Sequence, residues 1–324
     1  MNSNYKITLN TIIRHSIICS IAFFIVACGS RSTKIENWWM DSPITYDASL
    51  TEGSILRVSN WAPPSEEEKV SRNIILAVHG YSASTYEWTE FRDYAHRSGT
   101  ENIGVSMVLL GGHGRNQSEF KSSTWEEWGQ PILDEYQALQ ALGYEHISIV
   151  GASTGGTLIL KYLSQQKLMA LDHIFFIDTL VIPRNKLMYL VPIIKPFIGD
   201  EVSSPNSREE EENWHTIRPK ETIAELTSLI NSVKSELESF IQVPQGTTVT
   251  LFQSKNDPTV HPISAYLIWK GIRPVIPDSK VNIIESDLHV FTRLSGRLDA
   301  VKNNQNNIDN QDTVFKQILD QVAQ

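Results

Sequence analysis

Cysteine is nearly absent: the 324-residue chain has two, Cys19 and Cys28. No disulfide framework can be drawn from so few, and the core must be held by packing. Basic side chains are outnumbered, 28 Lys and Arg against 37 Asp and Glu, for a net charge of −9 at pH 7. Polyanions are bound through clustered Lys and Arg, so this balance argues against nucleic acid as a partner. No His-Glu metal spacing and no Gly-rich phosphate loop occur, and neither a metal nor another cofactor is expected. Internal repeats are lacking too. The apolar run near the start, Ile17 to Ala27, is too short to cross a bilayer as a stable helix. What is present is a 41% apolar composition, enough for one sizeable core, and one domain carrying an insertion is expected.

Short apolar runs alternate with amphipathic stretches, which predicts an α/β fold with a mainly parallel, doubly wound sheet flanked by helices. The runs are Ile74 to Val78, Val105 to Leu110, Ile147 to Val150, Ile174 to Ile177, Val249 to Phe252 and Val281 to Ile284. Several end in Gly, His, Ser or Asp, placing those residues at C-terminal strand ends, where open α/β sheets bind ligands. Helices are predicted over Ser84 to His96, Thr124 to Leu142, Gly155 to Gln166, Pro262 to Lys270 and Thr313 to Val322. The interval 181–245 breaks the alternation with an apolar, proline-interrupted stretch, an acidic turn at Glu209 to Glu212 and a helical pattern from Glu221 to Phe240. The Asn-rich segment Asn303 to Asn310 reads as an exposed loop.

Between the third run and its helix lies Gly151-Ala152-Ser153-Thr154-Gly155, with Gly156 following. A strand that turns directly into a helix through a strained serine tolerates only small neighbours, and this segment meets that demand. A serine hydroxyl is a poor nucleophile unless a base takes its proton and an acid orients the base. His289, after the run Val281 to Ile284, is the candidate base. Asp257, after Val249 to Phe252, is the candidate acid, with Asp178, after Ile174 to Ile177, as its rival. His261 lies too close to Asp257 to be a separate catalytic element and reads as a loop or helix-start residue, while Asp287 reads as turn chemistry. The order Ser153, Asp257, His289 is the α/β-hydrolase order of nucleophile, acid and base.

From about Ile74 to Phe291 the chain resembles α/β-hydrolase serine hydrolases of the monoacylglycerol lipase and small bacterial carboxylesterase type. Val78-His79-Gly80-Tyr81-Ser82 looks like their oxyanion loop and Gly111-Gly112-His113-Gly114 like their Gly-His-Gly turn. The resemblance implies an α/β-hydrolase fold, an oxyanion hole made by the backbone N–H groups of Tyr81 and Thr154, and a structural role for His79. It also implies a core over 53–180 and 246–324 and a helical cap over 181–245, in which Met188, Leu190, Ile193, Ile194 and Phe197 either cover an acyl group or simply pack the cap. Hydrolysis of acyl esters or monoacylglycerol-like lipids through an acyl-enzyme is the implied activity. Acyl transfer, peptide or amide cleavage, and a non-catalytic binding module remain alternatives on the same residues.

The N-terminus carries its own resemblance. Lys6 and Arg14 precede the apolar run, which ends in Ile25-Val26-Ala27-Cys28-Gly29, similar to the lipobox of bacterial lipoproteins. This implies a signal peptide over 1–27, lipidation of Cys28, a tether over 28–52 and residence in the outer membrane facing the periplasm, because Gly29 rather than Asp follows the cysteine. The processed chain would carry 26 basic and 37 acidic side chains, a net charge of −11. Trp38 and Trp39 in the tether fit either the headgroup region or the domain surface. Replacing Cys28 with Ser is expected to move the protein from the membrane fraction to the soluble fraction, as checked by fractionation and immunoblotting.

Overall fold

Apolar β-branched runs buried on both faces pair in parallel, and such runs, joined at one edge by the more exposed Lys280–Ile284, build the six-stranded central sheet. The computed structural model describes residue 61 and residues 63–100, 102–190, 199, 201–203, 206–273, 280–300 and 305–324. The strands are β1 (Asn73–Val78), β2 (Ile103–Val108), β3 (His146–Ala152), β4 (His173–Ile177), β5 (Thr248–Ser254) and β6 (Lys280–Ile284). Their order is β6-β5-β4-β3-β1-β2, with every pair parallel. The chain proceeds from β1 outward to β2, returns past β1 to β3, and then runs outward the other way. The switch therefore lies between β1 and β3, the place where such sheets open a crevice beyond the strand ends. Register aligns those ends, since Val78 pairs with Gly151, Ala152 with Ile177, and Ile177 with Phe252.

Alternation along the strands divides the apolar side chains between two cores. Ile74, Leu76, Val78, Ile149, Phe176 and Leu251 face one side, covered by α2 (Trp125–Leu142), α3 (Thr154–Ser164), α4 (Lys220–Glu238) and α5 (Ile263–Gly271). Ile75, Ala77, Val150, Phe175, Ile177 and Phe252 face the other, covered by α1 (Thr89–Arg97) and α6 (Gln305–Val322). There Phe91 and Phe315 meet edge to face at 5.0 Å. Helix α2 starts at a capping box between Thr124 and Glu127 and stops at Gly143, whose φ of 94° only glycine adopts readily. No helix among the described residues is long and apolar enough to cross a membrane.

Two segments differ from their sequence reading. The Asn-rich stretch expected as a loop belongs to α6 from Gln305 onward. Asparagine favours helix weakly, but here tertiary contacts decide: Asn306 and Asn310 donate to the Glu285 carbonyl, each at 3.1 Å, and Asn307 is buried. Within 181–245, a short antiparallel ribbon pairs Glu201–Ser203 with Ile217–Pro219, and a one-turn-plus helix spans Arg208–Asn213. Ser207 Oγ there donates to the Gly296 carbonyl, and Leu298 N–H donates to Glu210 Oε2 at 3.3 Å. Helix α4, at the end of the same interval, buries Leu226, Leu229, Ile230, Val233 and Leu237 in the larger core. Its polar side meets α3 through Lys161, which bonds Ser232 Oγ at 2.8 Å and pairs with Glu236.

Because α4 is packed into the core, Leu229→Ala is expected to cost about 2–5 kcal/mol. A lowered urea midpoint with unchanged slope is the measurement; a helix that merely rests on the surface would lose almost nothing.

Candidate active site

Only one residue separates the end of β3 from the start of α3. That residue is Ser153, with φ 48° and ψ −117°, a conformation of the kind that costs a non-glycine residue roughly 1–3 kcal/mol. Its backbone is over-determined: Ser153 N–H donates to the Ile177 carbonyl at 2.9 Å, and its own carbonyl accepts from Leu180 N–H at 3.2 Å and Thr157 N–H at 3.3 Å. The small neighbours are required by contact. A Cβ on Gly155 would lie 2.4 Å from the Val78 carbonyl oxygen, and one on Gly156 would lie 2.1 Å from Thr179 Oγ1.

The structure brings Ser153, His289 and Asp257 together. Ser153 Oγ lies 2.9 Å from His289 Nε2, and His289 Nδ1 lies 2.8 Å from Asp257 Oδ2. The other carboxylate oxygen of Asp257 accepts from Thr259 N–H at 2.7 Å and Val260 N–H at 2.8 Å, a local turn that aims Oδ2 at the ring. With Nδ1–H donated to a carboxylate, Nε2 is left as the acceptor for the serine proton. Burial alone would lower the His289 pKa, but the charge and hydrogen bond of Asp257, assisted by Asp178, outweigh it and raise the value.

Asp178 is fully buried in the same region but bonds differently. Its carboxylate accepts from Gln253 Nε2 at 2.8 Å, Ser254 N–H at 2.6 Å, Ser254 Oγ at 2.9 Å and Val290 N–H at 3.1 Å. Burial and the neighbouring charge of Asp257 push its pKa up to about 7 against the pull of His289 and Ser254. Of the two aspartates at strand ends, Asp257 is the one hydrogen-bonded to the imidazole. His261 sits at the start of α5, where its Nδ1 accepts from Ile263 N–H at 3.2 Å.

The loop after β1 lies against the serine, since a Cβ on Gly80 would sit 3.2 Å from Ser153 Cβ. Among the described residues neither Tyr81 N–H nor Thr154 N–H donates a hydrogen bond. The Tyr81 side chain turns away, its hydroxyl 2.6 Å from Thr222 Oγ1 and its ring packed near Phe120 and Trp128. His79 Nε2 accepts from Leu110 N–H at 3.1 Å, which puts the proton on Nδ1, 2.8 Å from the Gly80 carbonyl. Burial and the nearby His113 hold the His79 pKa well below its ordinary value, so the ring stays neutral and braces the loop. His113 is held down to about 4 by burial.

Glu87 is a site residue that sequence reasoning missed. It is buried, and Gly80 N–H donates to its Oε1 at 3.2 Å, while burial pushes its pKa to about 7 against the opposing charges of Arg297 and His289. A lone glutamate between Tyr86 and Trp88 was the available signal. Of the acyl-covering candidates, Met188 packs against the larger core and Leu190 is exposed; Ile193, Ile194 and Phe197 lie outside the described residues, as do Cys28, Trp38 and Trp39. Among the described residues no group of three or more His, Cys, Asp or Glu side chains could hold a metal ion. The assembled groups can deprotonate a hydroxyl, stabilise an oxyanion and return the proton to a leaving group.

No protein-family model matches the chain. It is similar to a carboxylesterase of Bacillus subtilis (strain 168), 24% identical over 220 residues that cover 67% of this chain and 85% of that protein. Among solved structures it resembles a metagenome-derived lipolytic enzyme (TM-score 0.61, 18% identity, 78% of this chain and 94% of that one). It also resembles a monoglyceride lipase from Saccharomyces cerevisiae (0.57, 12%, 78% and 86%) and a monoacylglycerol lipase from Paleococcus ferrophilus (0.57, 13%, 78% and 95%). With its mostly parallel sheet and flanking helices, the chain has the α/β-hydrolase fold.

The raised pKa of His289 makes a test that needs no substrate. Its imidazole is expected to titrate above the ordinary value near 6.5 in the NMR spectrum, and Asp257→Asn should bring it down. The protonated ring stabilises the fold fully below its unfolded pKa, and that contribution is lost as the pH rises through the folded value.

Proposed function

We propose that the protein is a serine esterase of the carboxylesterase and lipase type, hydrolysing carboxylic esters through an acyl-enzyme on Ser153. The observation that carries this reading is the chain of contacts from Ser153 Oγ to His289 Nε2 at 2.9 Å and from His289 Nδ1 to Asp257 Oδ2 at 2.8 Å. The similarity to a Bacillus subtilis carboxylesterase and the shared fold with lipolytic enzymes support the same class of reaction.

In this mechanism His289 accepts the Ser153 proton as Oγ attacks the ester carbonyl carbon. The new oxyanion is received by the N–H groups of Tyr81 and Thr154, each of which contributes about 3–4 kcal/mol if it behaves as such donors usually do. The imidazolium, steadied by Asp257, then gives its proton to the departing alkoxide, leaving the acyl group on Ser153. Water enters, gives a proton to His289 and attacks the acyl carbon; the proton returns to Ser153 as the carboxylic acid departs. In this reading the cover over the acyl group comes from the interval 181–245, whose described residue Met188 packs against the larger core. A lipidated Cys28 would hold the site beside a membrane, where acyl esters and monoacylglycerol-like lipids are at hand.

A fluorophosphonate probe should label the wild-type protein and not Ser153→Ala, and Ser153→Ala should turn over p-nitrophenyl esters roughly 10³–10⁶-fold more slowly. Asp257→Asn should lose about 10⁴-fold in kcat, as expected when the base is left in the wrong tautomer. Undiminished turnover by Ser153→Ala would remove the assignment.

A further inference from the structure

The peptide that follows His289 is held in an unfavourable conformation. Val290 has φ 47°, in the left-handed region that a β-branched residue almost never enters. Both polar groups of the peptide unit between His289 and Val290 are gripped, one by a guanidinium and the other by a carboxyl group. The His289 carbonyl accepts from Arg297 Nη2 at 2.9 Å, and Val290 N–H donates to Asp178 Oδ2 at 3.1 Å. The next carbonyl, that of Val290, accepts from Arg297 Nη1.

The Arg297 guanidinium is committed largely to this loop, with the Trp214 ring 5.9 Å from it. A guanidinium carries five N–H donors in a rigid fork. Here Nε and Nη2 bond the two carboxylate oxygens of Asp299 at 2.9 and 2.6 Å, Nη2 also reaches the His289 carbonyl, and Nη1 reaches the carbonyls of Val290 and, at 3.4 Å, Arg293. Every donor is used, and the side chain is buried. Asp299 fixes the fork from the outside, so its inner edge presents a fixed set of donors to the histidine loop. Asp178 is equally committed, its four donors coming from β5 and the loop itself.

We propose that Arg297 and Asp178 are positioning residues that set the aim of the His289 ring by clamping the His289–Val290 peptide from its two sides; this rests on the esterase reading of the same site. The direction in which the His289 side chain leaves the backbone depends on that peptide plane. The ring must satisfy Asp257 and Ser153 at once, at 2.8 and 2.9 Å, so a small rotation of the plane breaks one of the two contacts. Misplacement of a reacting group by about 1 Å is enough to cost on the order of 100-fold in rate. Asp178 thereby serves the histidine through the backbone, while Asp257 serves it through the ring.

The test uses the detergent-solubilised full-length protein and the variants Arg297→Met, Arg297→Lys and Asp178→Asn, with thermal unfolding to measure the folded fraction. Per folded molecule, Arg297→Met should lower kcat for a p-nitrophenyl ester about 10–100-fold, on the scale of such misplacement, with KM unchanged. The fluorophosphonate labelling rate should fall by a similar factor. Arg297→Lys, which keeps the charge but not the fork, should recover part of the loss. Asp178→Asn puts an amide among four donors and should lower kcat less than Asp257→Asn does. In the NMR spectrum the His289 Nδ1 proton and the Val290 amide proton should exchange faster with solvent in all three variants.

A kcat per folded molecule within twofold of wild type in Arg297→Met, or unchanged exchange at both protons, would overturn the clamp. Should Arg297→Met not fold, Arg297→Lys is judged by the same two criteria. Failure of the wild type to label would sink the esterase reading alone, because the exchange of the two protons reports the clamp without any substrate.

Discussion

Everything at the strand ends depends on one residue making the reversal from β3 into α3. Ser153 takes up that turn by itself at φ 48°, and its N–H still reaches the Ile177 carbonyl of the next strand as if the ladder continued. The strain is tolerable because the surroundings leave no alternative: Gly155 and Gly156 sit so close to β1 and to Thr179 that no side chain fits between. From that constraint follow the placement of Oγ beside His289 Nε2, a Thr154 N–H that donates no hydrogen bond among the described residues, and a fixed origin against which the other groups are set.

Charge is handled with the same economy. Several carboxyl groups lie buried around the serine, and each is satisfied by a distinct set of donors. Asp257 takes two backbone N–H groups and the imidazole, Asp178 takes the end of β5 and the Val290 N–H, and Glu87 takes Gly80 N–H. Buried carboxylates without such donors would protonate or destabilise the fold. Coming from separate segments, each fixes one loop: the turn at Asp257, the histidine loop and the loop beside Ser153. Backbone strain gathers at the same place, with Ser82, Ser153, Asp178 and Val290 all at positive φ.

The sheet was readable because most of its strands are buried on both faces and so spell continuous apolar runs; all six predicted runs fall on strands of the observed sheet, including the edge strand β6, whose Val281 and Ile283 are exposed. The Ser153 elbow was readable because sterics leave so few residue types for its neighbours. Asp257 was preferred over Asp178 as the acid, although both follow a strand and nothing local says which carboxylate will meet the ring. That is decided by the Thr259 and Val260 N–H groups, which turn Asp257 toward His289, and by Ser254, which captures Asp178. Arg297 and Glu87 left almost no trace in the sequence: apart from Asp299, their hydrogen-bond partners are backbone groups, the carbonyls of His289, Val290 and Arg293 and the Gly80 N–H, which carry no residue signature. The Asn-rich start of α6 was misread because helix propensity is a weak force beside the contacts that Asn306, Asn307 and Asn310 make.

The groups that meet at the serine enter the chain in sequence: the loop after β1, then Ser153, then Asp257 and finally His289, with Arg297 beyond it. A ribosome that has finished β3 and α3 has therefore made a serine with no base beside it. On the proposed mechanism its hydroxyl has no base until β5 and β6 have joined the sheet and His289 is in place. By the same mechanism, a chain cut short before His289 lacks the base that takes the Ser153 proton.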